Sequence, residues 1–338
     1  MKLYCGIDLH ANNSLVSVRD EQDKVRFEKR LPNDLEVIVS SLRPYQKDLQ
    51  GCVVESTYNW YWLVDGLVDA GFKVHLANTA AVPQYAGLKY TNDDTDARHL
   101  APLLQLGILP EGYIYPKQDR GLRDQLRRRL LLVRQRTMQT LSLQGLIIRH
   151  TGKRLSGNQI NQLTDEEVKK LLPDSSASLA GQVSLALIQT LGQAVDLLER
   201  DVRKKAGKRA GYQLLNTIPG VGPVLGLTIL LETGVIERFP NARLYASYAR
   251  CVKSKKLSNG KLKGQGNRKN GNRYLAWAFM EAAHFASIWE PRIKRFYQRK
   301  LAKAHLMVAK KAVANKLARA CYHMLKEHTK FDVTRAFG

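Results

Sequence analysis

The chain contains few of the residues that could cross-link it, hold zinc or span a membrane. The 338-residue chain has four cysteines, at Cys5, Cys52, Cys251 and Cys321. They form no C-x-x-C pair, and no histidine lies at zinc-ligand spacing from them. This scatter indicates neither a disulfide framework nor a zinc site and is typical of reduced packing residues. No apolar run approaches the length of a membrane span, and the N-terminus leads into a strand pattern instead of a signal peptide. We therefore expect a cytoplasmic, nucleoid-associated protein.

Acidic residues are scarce relative to basic ones. Lys and Arg number 54 against 30 Asp and Glu, which gives a formal net charge of +24 and a pI near 9.9. Such an excess points to a polyanionic partner, and nucleic acid fits it better than a membrane surface does. The apolar fraction of 44% is ordinary, so a chain of this length should form two or three domains.

The first 115 residues alternate between short strand and helix patterns. Hydrophobic periodicity predicts strands at 3–9, 14–19, 24–30, 52–55 and 74–77, and helices at 35–42, at 60–70 and from about 93. The first three strands should form an antiparallel meander, which β-α units then continue. This order favours a ribonuclease-H-like domain that ends near Tyr115. A flavodoxin-like domain is the alternative, but it would normally open with a β-α unit.

Four carboxylates in this region are placed so that they could meet. Asp8 and Glu55 each end an apolar strand pattern. Asp93 and Asp96 stand three residues apart at the start of a helix, where capping alone is the alternative explanation. If the strands are neighbours and the helix crosses their ends, the four acids converge and can stay ionised only with cations among them. That arrangement predicts an oxygen-ligated Mg²⁺ site suited to phosphoryl transfer.

Two long helical segments with an apolar repeat occupy 122–150 and 180–203. Residues 153–178 between them are polar and predict a loop or a partly disordered segment, so we expect an antiparallel coiled-coil arm that could dimerise the protein. A charge run is most often a solvated face, but the basic excess of the whole chain favours phosphate contact by arginines of the first segment. The arginines chosen for this role are Arg123, Arg127 and Arg128.

A glycine-rich turn joins two further helical segments at 214–224. It is similar to a helix-hairpin-helix, in which backbone N–H groups around Gly220 and Gly222 would suit a phosphate. A tight interhelical turn that binds no ligand explains the same residues equally well.

The segment between Arg250 and Arg273 contains no acidic residue and several glycines. Such a stretch should not fold alone and should become ordered on a phosphate backbone. The nucleic-acid contacts predicted here are Arg250, Lys253, Lys255, Lys256, Lys261, Lys263, Arg268, Lys269 and Arg273. Ser254 and Ser258 also lie in this segment, and composition alone favours polar linker residues over catalysis.

The remainder of the chain, from Tyr274 to Leu325, has a helical pattern with a basic polar side. We expect its aromatic residues to lie in the core, with stacking on bases as the alternative. These residues are Trp277, Phe285, Trp289 and Phe296.

Five motifs, taken together and in their order along the chain, resemble those of a known family. They are Gly6-Ile7-Asp8, Glu55-Ser56-Thr57, the run from Asp93 to Arg98, the run from Ile218 to Gly222, and Ser258-Asn259-Gly260 with the run from Lys269 to Asn272. Together they resemble the DEDD insertion-sequence transposases, the IS-one-ten family, which has the Piv-type DNA invertases as relatives. The resemblance covers nearly the whole chain.

The resemblance implies an α/β domain followed by helical parts. These are a RuvC-like (ribonuclease-H-like) domain at 1–115, a helical coiled-coil arm and dimerisation region at 116–206, and a mostly helical transposase domain at 207–338. The implied D-E-D-D set is Asp8, Glu55, Asp93 and Asp96. The implied serine nucleophile falls on Ser258, but Asn259 separates it from the glycine that usually follows, so Ser254 stays open. Whether Asp94 shares metal binding stays open too.

The implied activity is site-specific recombination of double-stranded DNA through a phosphoserine intermediate, with Mg²⁺ on the carboxylates. A bridge RNA that pairs with target and donor DNA is the implied guide, and homodimers that join into tetramers are the implied assembly. The first alternative is a RuvC-like, metal-dependent Holliday-junction nuclease that uses water and forms no covalent intermediate. The second is a non-catalytic nucleic-acid scaffold whose acids are helix caps.

Overall fold

The structure is a computed structural model that describes residues 1–81, 93–207, 209–252, 255–258, 261–265 and 270–338. It divides into two compact units, Met1–Ile114 and Tyr115–Gly338. The division lies beside the predicted end of the first domain at residue 115, whereas the boundary predicted between 206 and 207 falls inside the second unit and stays a prediction. In the described ranges, no helix is both long and apolar enough to cross a membrane.

The first unit contains a five-stranded sheet. In chain order its strands are β1 (Leu3–Leu9), β2 (Asn13–Asp20), β3 (Val25–Pro32), β4 (Leu49–Glu55) and β5 (Val74–Ala77). The spatial order is β3-β2-β1-β4-β5, with β1 to β3 antiparallel and β4 parallel to both β1 and β5. The predicted meander and its continuation by β-α units are confirmed.

Each face of this sheet is covered by helices. The side chains of Leu3, Cys5 and Ile7 share one core with those of α1 (Leu35–Leu42) and α2 (Tyr61–Asp69). Because successive strand residues point to opposite faces, the residues between them face the other way. That second face is packed by α3 (Asp93–Gln105), as a small cluster of Val53, Ala77 and Leu100 shows.

The second unit is mainly helical. Its helices are α4 (Lys117–Thr151), α5 (Gly157–Gln162), α6 (Asp165–Leu171), α7 (Ser175–Ala206), α8 (Ala210–Leu215), α9 (Pro223–Thr233), α10 (Ala242–Tyr248), α11 (Arg273–Trp289), α12 (Pro291–Leu301), α13 (Leu306–Glu327) and α14 (Val333–Phe337). Its strands, which form an antiparallel pair, are β6 (Lys255–Ser258) and β7 (Lys261–Gln265). The helices α9 to α13 enclose the largest core of the chain, around Tyr245 and Phe279.

The long helices α4 and α7 pair within one chain, whereas the sequence left open whether they pair in one subunit or across two. Arg129 on α4 donates to Glu199 on α7 at 2.5 Å, and Gln125 donates to Asp201 at 2.8 Å. Buried leucines and valines fill the seam between the two helices. The arm helices therefore need no second subunit in order to pair.

The prediction of a loop or disorder at 153–178 is wrong. The segment contains α5, α6 and the start of α7. Ser156 and Thr164 each begin a short helix through a capping box, with Gln159 and Glu167 as the reciprocal partners. The few apolar residues of this polar segment, such as Val168, are buried against α4 and α7. This packing stabilises the short helices.

Two expectations for the C-terminal region also need correction. The basic segment predicted not to fold alone contains the hairpin of β6 and β7. Among the aromatic residues, Trp277 and Phe296 pack against the core as predicted. Phe285 and Trp289, in contrast, are 39% and 71% exposed and are not core residues.

Candidate active site and nucleic-acid interface

Asp8 and Glu55 lie side by side at the ends of neighbouring strands. Ile7 of β1 is paired with Val54 of β4 in a parallel register, so the next residue of each strand is an acid. Both side chains point to the face that α3 covers, opposite to Ile7 and Val54 in the main core. Asp8 is 2% exposed. The predicted meeting of these two strand-end acids is thus present within one unit.

Asp8 lies close enough to Glu55 to change the acidity of that carboxyl group. Burial, followed by the hydrogen bond and the negative charge of Asp8, raises the pKa of Glu55 to about 7. Thr79 and His10 partly oppose this increase. The Nε2 atom of His10 lies 3.1 Å from a carboxylate oxygen of Asp8. Sequence reasoning missed His10 and Thr79, although His10 follows Asp8 by two residues and therefore shares its side of the chain.

The second pair of predicted acids begins α3. The backbone of Asp93 and Asp96 belongs to the first turn of that helix, while the side chains of 93–97 lie outside the described residues. The helix packs on the face that carries Asp8 and Glu55. Arg98 fixes this docking, since its guanidinium donates to both carboxylate oxygens of Glu28 on β3, at 2.5 and 2.9 Å. The acid-bearing helix and the two strand-end acids are thus on the same side of the sheet.

The donor set present is suited to a hard divalent cation. Among the side chains that the structure describes, no group of three or more His, Cys, Asp or Glu is arranged to hold a metal. Asp8 and Glu55 nevertheless offer carboxylate oxygens, the ligands preferred by Mg²⁺, and burial together with the neighbouring Asp8 raises the pKa of Glu55. A cation would supply a compensating positive charge.

In the second unit, a buried carboxylate organises the surroundings of the basic segment. Glu232 on α9 is 2% exposed and accepts hydrogen bonds from Arg123 and Arg127 of α4, at 3.1 and 2.5 Å. Asn272 donates a third, at 2.7 Å. Tyr115 lies over the Arg123 guanidinium at 3.5 Å and donates its hydroxyl to the backbone carbonyl of Glu232. We refer to Glu232, Arg123, Arg127 and Asn272 as the Glu232 cluster.

The Glu232 cluster contains two of the arginines predicted to contact phosphate, Arg123 and Arg127. Burial raises the pKa of Glu232, but the Arg127 hydrogen bond and the positive charges of Arg123 and Arg127 lower it more, so that the pKa lies below its ordinary value. Arg123 is buried and Arg127 half-buried, and each is held by a carboxylate of its own chain. Arg128, in contrast, is exposed. A phosphate role for each of the three arginines stays a prediction.

Asn272 connects the Glu232 cluster to the base of the hairpin. Its side-chain oxygen caps α11 by accepting from the N–H groups of Tyr274 and Leu275. Its own N–H donates to the carbonyl of Tyr248 at 2.6 Å, which joins the two ends of the basic segment. Arg250 strengthens the same closure by donating to the carbonyls of Asn270 and Gly271, both at 2.9 Å. Arg250 is thus held at the base of the segment.

The hairpin itself carries the predicted nucleophile. Ser258 pairs with Lys261 at the end of the hairpin, and its side chain lies outside the described residues, as do those of Lys255, Lys256 and Lys263. Ser254, Lys253, Arg268 and Lys269 also lie outside them. Lys261 and Arg273 are exposed. The dipeptide Asn259-Gly260 between two leucine-bearing strands is a strong hairpin signal that sequence reasoning did not use.

The glycine-rich turn between α8 and α9 is tightly packed. Gly220 has a φ of +81°, and a Cβ there would lie 2.5 Å from the Cβ of Phe285 on α11. The positive φ and this close approach explain the glycine without a ligand. Gly222 precedes α9, and a Cβ there would meet open space. A phosphate role for either glycine stays a prediction.

Two family models match the chain. One match includes the acids of the first unit, and the other includes Glu232 and the hairpin of the second unit. A DEDD-type transposase model of IS110 matches residues 5–148. A model described as the transposase IS116/IS110/IS902 family matches residues 212–298. The chain is therefore similar to IS110-type transposases in two separate regions.

The first match includes Asp8, Glu55 and the acidic start of α3, and the second includes Glu232, the hairpin and Asn272. A mini-circle protein of Streptomyces coelicolor, whose name describes it as a transposase for IS117, is 31% identical over 167 residues. That stretch is 47% of this chain, and the chain spans 39% of the length of this relative.

Proposed function

We propose that this chain cuts and rejoins double-stranded DNA by phosphoryl transfer, as a transposase, with the carboxylates of the first unit as its metal site. The observation that carries this proposal is the contact of Asp8 with Glu55 at neighbouring strand ends, on the face packed by the acidic helix α3. Pairs of buried carboxyl groups without a cation are costly, so a protein has little structural reason to build one.

The metal ligands we propose are Asp8 and Glu55, joined by Asp93 and Asp96 from the first turn of α3. Bound Mg²⁺ would neutralise the phosphate charge that builds up during transfer. His10, in contact with Asp8, positions that carboxylate through its Nε2 atom. Arg98 holds α3 against the sheet through Glu28.

We propose that Ser258 is the nucleophile. Its hydroxyl oxygen would form a bond to a DNA phosphorus as the bond from that phosphorus to one strand oxygen breaks, and the serine proton would end on the departing strand as a hydroxyl group. The reverse attack by a strand hydroxyl would restore a phosphodiester and release the serine. The support is the position of Ser258 at the end of a hairpin whose neighbouring residues are mostly basic.

A covalent trapping experiment tests this mechanism. The protein is incubated with Mg²⁺ and a DNA substrate nicked so that the departing strand diffuses away, and the product is analysed for a protein–DNA adduct. We expect an adduct that Ser258→Ala abolishes and that Ser254→Ala, the matched control, retains. Free 5′-phosphate ends without any adduct would favour the junction nuclease, and an Asp8→Asn variant that behaves like the parent would favour a scaffold.

The assembly we propose is a homodimer formed through the arm, with dimers joining into tetramers. Besides the buried seam, both arm helices expose large apolar residues, namely Leu131, Met138, Leu141 and Ile148 on α4 and Leu179, Val183, Leu187 and Leu197 on α7. Arg129 lies opposite Glu199, and Arg136 lies close to Gly192. That antiparallel register puts Leu131 level with Leu197 and Leu141 level with Leu187. A second arm could bury such residues.

We further propose that a bridge RNA selects target and donor DNA by base pairing. The resemblance and the net charge of +24 support this part. It is tested by expressing the protein with its native flanking DNA and sequencing the RNA that co-purifies. A single abundant RNA with segments complementary to both DNA partners is expected, and recovery of unrelated host RNA alone would contradict the guide.

A further inference from the structure

Helix α12 is basic on every exposed side. Its eleven residues include five Lys or Arg and no acid. Only Ile293 is buried, and Arg292, Arg295 and Arg299 recur on one face at intervals of three and four residues. None of these arginines belongs to the hairpin, the Glu232 cluster or the arm.

Two surface cavities beside α14 extend this basic region. One, of about 430 Å³, is lined by Arg292, Arg295 and Arg299 together with Phe337. The other, of about 240 Å³, is lined by Lys316, Arg319 and Lys330 among others. Lys316 lies between the two groups of cations, with its Nζ bonded to the carbonyl of Ala336. Burial, and after it the charges of Arg319, Arg299 and Lys300, lower the pKa of Lys316.

The nearby acids do not neutralise this surface. Glu290 and Asp332 are the N-caps of α12 and α14, and Glu327 is paired with Arg335. Across the described residues, no carboxylate lies within ion-pair distance of Arg295, Arg299 or Arg319. Asp332 lines the smaller cavity and Gly338 the larger one, but cations predominate in both. Repulsion among like charges raises the free energy of the folded chain, and a bound polyanion would reduce it.

An exposed aromatic residue stands beside the basic helix. Trp289 ends α11 one residue before the N-cap of α12 and is 71% exposed. Indole rings on a basic surface stack on unpaired bases, whereas paired bases in a duplex are not accessible to them. Arg292 to Arg299 spans about 10 Å of helix, enough for several successive phosphates of one strand.

We propose that α12, Lys316, Arg319 and Trp289 form a second nucleic-acid site, which binds an unpaired strand through its phosphodiester backbone and stacks a base on Trp289. The arginines of α12 and Arg319 bind phosphates. The indole ring of Trp289 stacks on a base, which gives a preference for unpaired over duplex strands. This proposal rests on the proposed function only in requiring that the chain binds nucleic acid.

The test is a fluorescence-anisotropy titration of the full chain with short labelled strands of unpaired RNA, unpaired DNA and duplex DNA, over a range of salt concentrations. The variant is Arg295→Gln with Arg299→Gln. The matched control is Arg43→Gln with Arg154→Gln, which removes two exposed arginines elsewhere. For an unpaired strand, we expect binding on the order of tenfold weaker in the variant and a salt slope shallower by about 1.4, since each phosphate contact contributes about 0.7. Trp289→Ala should weaken binding about fivefold or more at an unchanged slope.

Loss in the variant with unpaired RNA or with unpaired DNA supports the site and identifies its natural strand. Equal losses in variant and control, unchanged binding in the variant, or a loss confined to duplex DNA would each overturn it, as would unchanged binding by Trp289→Ala. A parent chain that binds no strand would overturn the proposed function as well. Because the readout is binding, absence of a Ser258 adduct would leave this site standing.

Discussion

Asp8 and Asp20 are both buried carboxylates of the N-terminal sheet, but their surroundings differ. Asp20 accepts from two backbone N–H groups and from the guanidinium of Arg26, so its negative charge is compensated. Asp8 faces Glu55, and the Nε2 atom of His10 lies 3.1 Å from one of its carboxylate oxygens. Asp20 therefore stabilises a turn, whereas the role we propose for Asp8 is to bind a metal ion.

We predict opposite effects for the amide variants of these two residues. Asp8→Asn removes a like charge from the pair, so the melting temperature without metal should stay the same or rise, while Mg²⁺ should no longer increase it. DNA cleavage should fall by at least about a hundredfold, more than is typical for residues outside the metal shell. Asp20→Asn should lower the melting temperature and leave the Mg²⁺ response intact. Differential scanning fluorimetry with and without Mg²⁺ checks both, and an Asp8→Asn protein still stabilised by Mg²⁺ would contradict the metal site.

At the scale of elements, local sequence signals predicted much of the first unit. The strand at 74–77 and the helix at 35–42 have the predicted bounds, because their apolar periodicity agrees with burial and Asp34 caps the helix. The strand ends also placed Asp8 and Glu55 correctly, since the parallel pairing of β1 with β4 follows from the β-α order.

The ion pairs that sequence reasoning missed join residues far apart in the chain. Arg123 and Arg127 were expected to contact phosphate, and their partner Glu232 is more than 100 residues away in the chain. No local pattern distinguishes a paired arginine from a free one. The short helices α5 and α6 are different, because their capping boxes were visible but were outweighed by the polar composition.

We predict that Asn272 stabilises the base of the β6–β7 hairpin. Asn272→Ala removes the cap of α11, which should cost about 1 kcal/mol, and leaves buried Glu232 short of a donor at about 1–3 kcal/mol more. Asn241→Ala is the matched control, because Asn241 caps α10 in the same way without contacting the Glu232 cluster. Limited trypsin digestion should cut the lysines of 253–269 faster in Asn272→Ala alone, and the yield of Ser258 adduct should fall with it. Equal digestion of the two variants would show that Asn272 is only a cap.

At the scale of the whole molecule, the arm explains why a dimer is expected. Its intramolecular seam is already filled, so the additional apolar residues on α4 and α7 are not needed for the two helices to pair. Exposed apolar side chains that lie at the same height along two paired helices are typical of a surface that the arm of a second subunit covers.

We predict that Leu141→Glu with Leu187→Glu converts a dimer into a folded monomer. These side chains are 61% and 43% exposed in the single chain, so their replacement leaves the monomer core intact. Each leucine buried in a dimer contributes about 1.5–3 kcal/mol, and the four lost from a symmetric interface should raise the dissociation constant by at least about a hundredfold. Val25→Glu with Val68→Glu, at similarly exposed positions of the first unit, is the control and should stay dimeric. Sedimentation over a range of concentrations measures the mass, and a parent chain that sediments as a monomer, or a variant that remains a dimer, would contradict assembly through the arm.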